Sequence, residues 1–397
     1  MILDSIYPST GGGGAESQVG TLTQWLAGQG IPSTIVVPMV AYGPQVPFET
    51  TGPVEITRLR YPHLPVLGGM MLMAKLAWLL FIRRHDIQAI HCHIAKNMAV
   101  VATLANIWLK RPLLVKLTGM TEKVGGILDD KAPLLNRLKR RILQQAQIQS
   151  ISQAISNRLL EAGFSERRIQ YIPNAVDLDR YDPSLPRFAH ARERQSDDIA
   201  LRAVFVGRLE AVKGIELLLD AWNRTFSPTD PVRLTLIGAG SLEQSLRERI
   251  ESSQRSHQIE IHGQSADVAG HLATADIGIL PSYTEGLSNT LLESMAMGLP
   301  MIGSRISGNE DFIQPHVTGW LFPAGDTEAL ARCLSDAYRL SREQLASMGA
   351  NARAFVHSQA SVPIIGERLK QIYGLSRTHT GKSRSAPGHR GKQRSAH

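Results

Sequence analysis

The chain alternates between two apolar patterns. Short β-branched or leucine-rich runs bounded by Gly, Pro, Asn or Asp read as strands, and stretches with apolar residues three and four apart read as helices. In the first half, residues 1–7, 33–37, 89–92, 113–117 and 147–151 predict strands, with helices over 18–28 and 97–109. In the second half strands are predicted at 201–205, 234–237, 258–261, 277–280 and 300–303, with helices over 214–222, 241–252, 289–297 and 327–340. Strands alternating with helices imply an α/β class with parallel sheets covered on both faces.

Between the two series lies RYDPSLPRFAHARERQSDD at 180–198, polar, with two prolines and no apolar periodicity, which reads as a linker. The pattern predicts two Rossmann-like domains of similar size, 1–178 and 199–352, joined by 179–198 and facing across a cleft. Ligands in such sheets sit beyond the carboxyl ends of the strands, so the cleft is the expected site. The most apolar stretch, VLGGMMLMAKLAWLLFI at 66–82, is shorter than the roughly 20 residues of a spanning helix and carries Lys75 in its middle. It predicts a buried or interfacial helix.

Composition changes this picture little. Of 397 residues, 43% are hydrophobic and 20% charged, enough for large cores. Cys92 and Cys333 are too few for a disulfide framework or a structural zinc site, and no secretory signal is visible at the N-terminus, so a cytoplasmic location is expected. The net charge is +8, but Arg377, Lys382, Arg384, Arg390, Lys392 and Arg394 lie in the last 21 residues, which hold no acid. Without them the body carries about +2, so the basic balance does not by itself argue for nucleic acid. Residues 376–397 cannot bury anything and are expected to form a disordered basic tail.

Candidate chemistry sits at four turns. In GGGGAE at 11–16, glycines allow close backbone approach and the following helix N-terminus favours an anion. It is neither a Walker loop nor GxGxxG. In VGRLEAVKG at 206–214, Arg208 and Lys213 flank a strand-to-helix turn, where they suit a diphosphate; ordinary solvated charge is the alternative. IGAGS at 237–241 is a second glycine turn, with Ser241 a predicted N-cap. In PSYTEGLSNTLLESMAMGLP at 281–300, Glu285 and Glu293 are eight apart, about 80° on one continuous helix at ~100° per residue. They converge better if Glu285 sits in the loop and Glu293 in the second helical turn. Gly286, Leu287 and Ser288 would then offer N–H groups at the helix N-terminus. Thr290-Leu-Leu-Glu293 also matches a capping box in which Glu293 merely bonds backbone, and both readings stay open.

Taken in order, GG-A-E, IPNAVD at 172–177, VGRLEAVKG, LIGAG, ADIGILPS at 275–282 and EGLSNTLLESMAMGLP resemble the retaining glycosyltransferases of family 4, which have the GT-B fold. The resemblance covers roughly residues 1–375. It implies a hexosyltransferase that moves a sugar from a nucleotide-diphosphate sugar to a polysaccharide or lipid-linked glycan. Arg208 and Lys213 would hold the donor diphosphate, Glu285 the transferred sugar and Glu293 the ribose. Gly286–Asn289 and the turns at Gly207 and Gly238 would complete the donor site, with Gly13 and Gly14 closing from the other domain. Glu16, His93, Thr118 and Asn174 are weaker acceptor-side candidates. Helices over 353–375 would cross back to the first domain. No Asp-x-Asp pair is placed to hold a metal beside the diphosphate, so no cofactor and metal independence are expected, with the diphosphate taking the acceptor proton.

One departure is Thr118, in VKLTGMTEK, where many family members carry His; Thr cannot titrate near neutral pH. On the acceptor side, LLNRLKRRILQQ at 134–145 carries Arg137, Lys139, Arg140 and Arg141 on a helical apolar pattern, which suits peripheral docking on the inner face of a cell membrane. The competing functions are a nucleotide-sugar epimerase on the same fold and a non-catalytic sugar- or polyanion-binding protein.

Overall fold

The computed structural model describes residues 1–8, 13–41, 43–119, 127–129, 133–189 and 199–375. The first half comprises α1 (Gly14–Gly28), β1 (Ser33–Pro38), β2 (Phe48–Thr51), β3 (Val54–Leu59), α2 (Leu67–Ile82), β4 (Ile90–Cys92), α3 (Asn97–Leu109), β5 (Leu113–Leu117), α4 (Leu134–Leu143), β6 (Gln147–Ser150), α5 (Gln153–Glu161) and β7 (Ile169–Tyr171). The second comprises β8 (Leu201–Val206), α6 (Ile215–Thr225), β9 (Val232–Ile237), α7 (Glu243–Ser252), β10 (Ile259–Gly263), α8 (Val268–Ala273), β11 (Ile277–Leu280), α9 (Asn289–Ala296), β12 (Met301–Ser304), α10 (Ser307–Phe312), β13 (Gly319–Phe322), α11 (Thr327–Arg339), α12 (Arg342–Ala360) and α13 (Val362–Ile372).

In the first half, β1-β3-β2 and β4-β5-β6-β7 are joined through the first residues of the chain. Ile2 pairs in parallel with both Val36 and Cys92, its N–H donating to the His91 carbonyl at 2.8 Å. The strand expected over 1–7 is therefore only this central bridge. The hairpin of β2 and β3 was not foreseen, because its outer strand, FETT, is mostly exposed and offers no apolar run. The second half is an all-parallel sheet in the order β10-β9-β8-β11-β12-β13, with Phe205, Trp222 and Phe322 buried in its core. Short β7, β13, α8 and α10 also escaped the pattern; three to six residues are too few to show a period.

Residues 180–189 pack rather than hang free, because their two aromatic side chains, Tyr181 and Phe188, are buried, and Asp182 pairs with Arg353 at 2.9 Å. Residues 190–198 and the tail from 376 lie outside the described residues. α12 opens with a Ser341/Gln344 capping box and packs on α9. The chain then returns to the first half: Val176 pairs with Ser361, and α13 buries Val362, Ile365 and Leu369 against Leu22, Leu26 and Leu114. The Tyr373 hydroxyl meets His91 Nδ1 at 2.6 Å. A Cβ on Gly366 would overlap the Trp25 ring of α1. Gly366→Val should therefore cost about 1–3 kcal/mol, read by urea unfolding, through the overpacking of this contact.

Candidate active site

The carboxyl ends of β8, β9 and β10 are nested turns. Gly207 N–H donates to Ile237 at 2.9 Å and Gly238 N–H to Gly263 at 2.8 Å. Gly238 has φ 144°, and a Cβ there would overlap the Gly207 carbonyl, so this close approach requires glycine. Ser241 does not cap α7 as predicted. The cap position falls on Leu242, and Ser241 Oγ instead donates to Glu210 Oε2 at 2.6 Å, a stronger acceptor within reach. Arg208 is exposed at the turn after β8. Lys213 ends a single 3₁₀ turn, Ala211–Lys213, and its Nζ lies 2.7 Å from Glu285 Oε1. Ser282 Oγ donates to the same oxygen at 2.5 Å. The structure thus joins Lys213 to Glu285 as a largely enclosed ion pair.

Glu285 lies in the loop before α9 and Glu293 in the second turn of that helix. The N-cap is Ser288, which makes Leu291 the third helical residue, so Glu293 is too far along to close a capping box. Its carboxylate takes a hydrogen bond from the Tyr181 hydroxyl. Burial raises the Glu293 pKa, opposed by Tyr181 and by the charge of Arg180. Tyr181 was not singled out in the sequence; its one signal is an aromatic residue inside a polar stretch.

The first half meets this loop through backbone and amides. A Cβ on Gly286 would overlap the Thr118 carbonyl, so Thr118 reaches the site through its main chain. Asn174 Nδ2 donates to the Leu287 carbonyl at 3.0 Å and to Asn289 Oδ1 at 2.8 Å. Asn289 Nδ2 donates to the Gly14 carbonyl at 3.1 Å. Gln18, a buried polar residue on the apolar face of α1, brackets Ala175 with two 2.7 Å hydrogen bonds and lies 3.3 Å from Asn289 Oδ1. Its signal was that break in the helical stripe. The first turns of α1, capped by Gly13, and of α9 consequently meet. Glu16 folds back against Gly13 and accepts from the Ser5 hydroxyl. Gly11 and Gly12 lie outside the described residues.

His93 is not brought to this junction. It is fully buried, stacked on His91 at 4.0 Å, and neither ring nitrogen has a hydrogen-bond partner. Burial holds both imidazoles well below the usual histidine range, and nearby Lys116 pushes them further. Burial also lowers Lys116 to about 7. Among the described residues, no three His, Cys, Asp or Glu groups come together to hold a metal ion.

These positions give two predictions. Asn174→Ala should destabilise the protein by about 1–3 kcal/mol, because it unpairs the Leu287 carbonyl and leaves Asn289 Oδ1 the longer 3.3 Å contact to Gln18, and thermal unfolding would show it. Lys116 carries a proton in the unfolded chain but not the folded one between pH 7 and its unfolded pKa of about 10.4. Its contribution to stability thus rises with pH across that window. Lys116→Met should raise stability at pH 7 and shrink the gain between pH 7 and pH 9 by about 1–3 kcal/mol, measured by urea unfolding at both values.

Two Rossmann-like halves, the second wholly parallel, meeting at strand ends and helix N-termini, with a last helix returned to the first half, define a GT-B protein. Residues 12–180 match the family model for Glycosyltransferase Family 4, and residues 200–339 that for Glycosyl transferases group 1. The chain belongs to glycosyltransferase family 4. It is similar to N-acetyl-alpha-D-glucosaminyl L-malate synthase of Bacillus anthracis, 26% identical over 92% of this chain and 94% of that protein. It also resembles the putative colanic acid biosynthesis glycosyltransferase WcaL of Salmonella typhimurium, 29% identical over 50% of this chain. The match spans about half of that relative's length, 51%. Among solved structures, Anabaena Alr3699/HepE in complex with UDP superposes with a TM-score of 0.74 at 20% identity, covering 94% of this chain and 98% of that one.

Proposed function

We propose that the protein is a retaining, metal-independent hexosyltransferase that moves a sugar from a nucleotide-diphosphate sugar to a polysaccharide or lipid-linked glycan. The observation that carries the reading is the meeting of two helix N-termini, those of α1 and α9, where the loop before α9 holds the Lys213–Glu285 pair. Helix N-termini and cations stabilise the charge that builds on a leaving diphosphate. The relatives agree with such a reaction, since one is a glucosaminyl-malate synthase and HepE was solved with UDP.

In this reading Arg208 forks onto the diphosphate, Lys213 supports it as a point charge, and the amides of Gly286–Asn289 face the β-phosphate and sugar. Gly13 and Gly14 close from the opposite half. Glu285 holds the sugar hydroxyls and Glu293, positioned by Tyr181, the ribose. The bond from the anomeric carbon to the diphosphate breaks, the acceptor oxygen bonds to the same face, and its proton passes to the departing diphosphate. Thr118 and Asn174 border the acceptor side, with Glu16 at the α1 end. The basic helix α4 places the acceptor domain on an anionic membrane surface on the cytoplasmic side. Among the described residues, no helix is long and apolar enough to cross a membrane.

A thermal-shift panel with UDP, GDP and ADP in EDTA tests the donor site. One nucleotide should stabilise the protein by about 2.7 kcal/mol at a hundredfold excess over its Kd. No response to any of them would count against the transferase. Arg208→Ala should lower turnover about 10²–10³-fold while, as an exposed side chain, leaving stability within about 0.5 kcal/mol. Unchanged turnover would remove the diphosphate assignment.

A further inference from the structure

The first half carries an apolar surface that its core does not explain. α2 is apolar on nearly every face, yet only Gly68, Leu72, Leu76 and Leu80 are buried, with Met73 and Leu79 packed partly against the core. Its single charge, Lys75, is tied to the Arg60 carbonyl at 2.7 Å. A helix apolar all round belongs in a core or in lipid, and this one lies at the surface with 16 residues, too short to span a bilayer. α3 packs beside it and likewise turns Ile107 and Trp108 outward.

The two exposed faces meet in an aromatic cluster. Trp78 stacks on Phe81 at 5.9 Å, and Phe81 meets Trp108 of α3 edge-on at 5.6 Å. Trp78 remains 62% exposed, although its area would favour burial. Cations outnumber acids at the rim: the Arg84 guanidinium lies 4.6 Å above the Phe81 ring, Lys110 and Arg111 follow α3, and Asp86 is exposed beside Arg84. α4, packed against α3, exposes Leu134 and Leu138 and lines a cavity of about 370 Å³ with Arg137, Arg140 and Arg141. The helices α2, α3 and α4 contain no Asp or Glu.

We propose that the face formed by α2 and α3 and continued by α4 docks on an anionic lipid bilayer, with Trp78, Phe81 and Trp108 entering the boundary between headgroups and acyl chains. Aromatic rings with one wet edge settle at that depth, and the surrounding cations take lipid phosphates. A second copy of the chain would bring the same cations against each other, so like charge opposes self-association on this face. The inference deepens the membrane element of the proposed function. It is tested without turnover, so its failure leaves the nucleotide thermal shift untouched.

The test uses the full chain and vesicles of phosphatidylglycerol and phosphatidylcholine, with phosphatidylcholine alone as control. The protein should sediment with the anionic vesicles at low salt, release as salt rises, and ignore the control. Lipids brominated on their acyl chains should quench its tryptophan fluorescence, and Trp78→Phe with Trp108→Phe should abolish that quenching while preserving the packing. Trp78→Ser with Trp108→Ser should weaken sedimentation at least about tenfold with an unchanged nucleotide thermal shift. Failure of the wild type to bind anionic vesicles, or equal quenching in the phenylalanine variant, would overturn the proposal. So would a change from dimer to monomer in the serine variant with vesicle binding intact, which would assign the face to a second copy.

Discussion

The meeting of the two helix N-termini rests on three side-chain amides. Gln18, Asn174 and Asn289 come from the first helix, the end of the first half and the start of α9, and they are remote in sequence. Each peptide dipole in those helices points its positive end at the same region, which would be repulsive without polar groups to bridge it. The amides offer both donors and acceptors, so one small cluster satisfies the Leu287, Ala175 and Gly14 carbonyls at once. A hydroxyl or carboxylate could not supply two donors from one nitrogen. The glycines at 238, 286 and 366 act to the same end, since each lets another backbone or ring approach where a Cβ would stand.

The charges of the site are arranged around that fixed point. Lys213 and Glu285 neutralise each other at 2.7 Å with little exposure, a separation that compensates for part of their lost hydration. Arg208 stays in solvent. The two cations of this region therefore differ, Arg208 facing water and Lys213 already held by a carboxylate. The two carboxylates have different partners: a phenol for Glu293, whose pKa burial raises, and the Lys213 ammonium for Glu285.

Much of this was legible in the chain. The buried parallel strands of the second half announced themselves, because strands covered on both faces need continuous apolar runs; 277–280 is β11 to the residue. For Glu285 and Glu293 helical geometry left two readings open, and the N-cap at Ser288 removes the capping box. What stayed hidden depended on partners distant in sequence. Ser241 has the residue type of a cap but found Glu210. Gln18 and Tyr181 drew no notice, since a lone polar residue in an apolar stripe and a lone aromatic residue in a polar stretch have no pattern of their own. His93 is an acceptor-side candidate by resemblance, and only its burial and its stacking on His91 show that it is enclosed.

The return of α13 to the first half has a consequence for how the protein is made. Leu22, Leu26, Leu114 and Ile172 are covered by Val362, Ile365, Leu369 and Tyr373, which are synthesised nearly two hundred residues after the rest of that half is complete. While the second half is being translated, the first must wait with an apolar face open to water. Domains formed early on the ribosome are exposed to misassembly for as long as such a face lacks its cover. The order of synthesis thus leaves the opening half unfinished until the closing helix emerges, and a chain cut short before residue 362 would lose the integrity of its beginning rather than of its end.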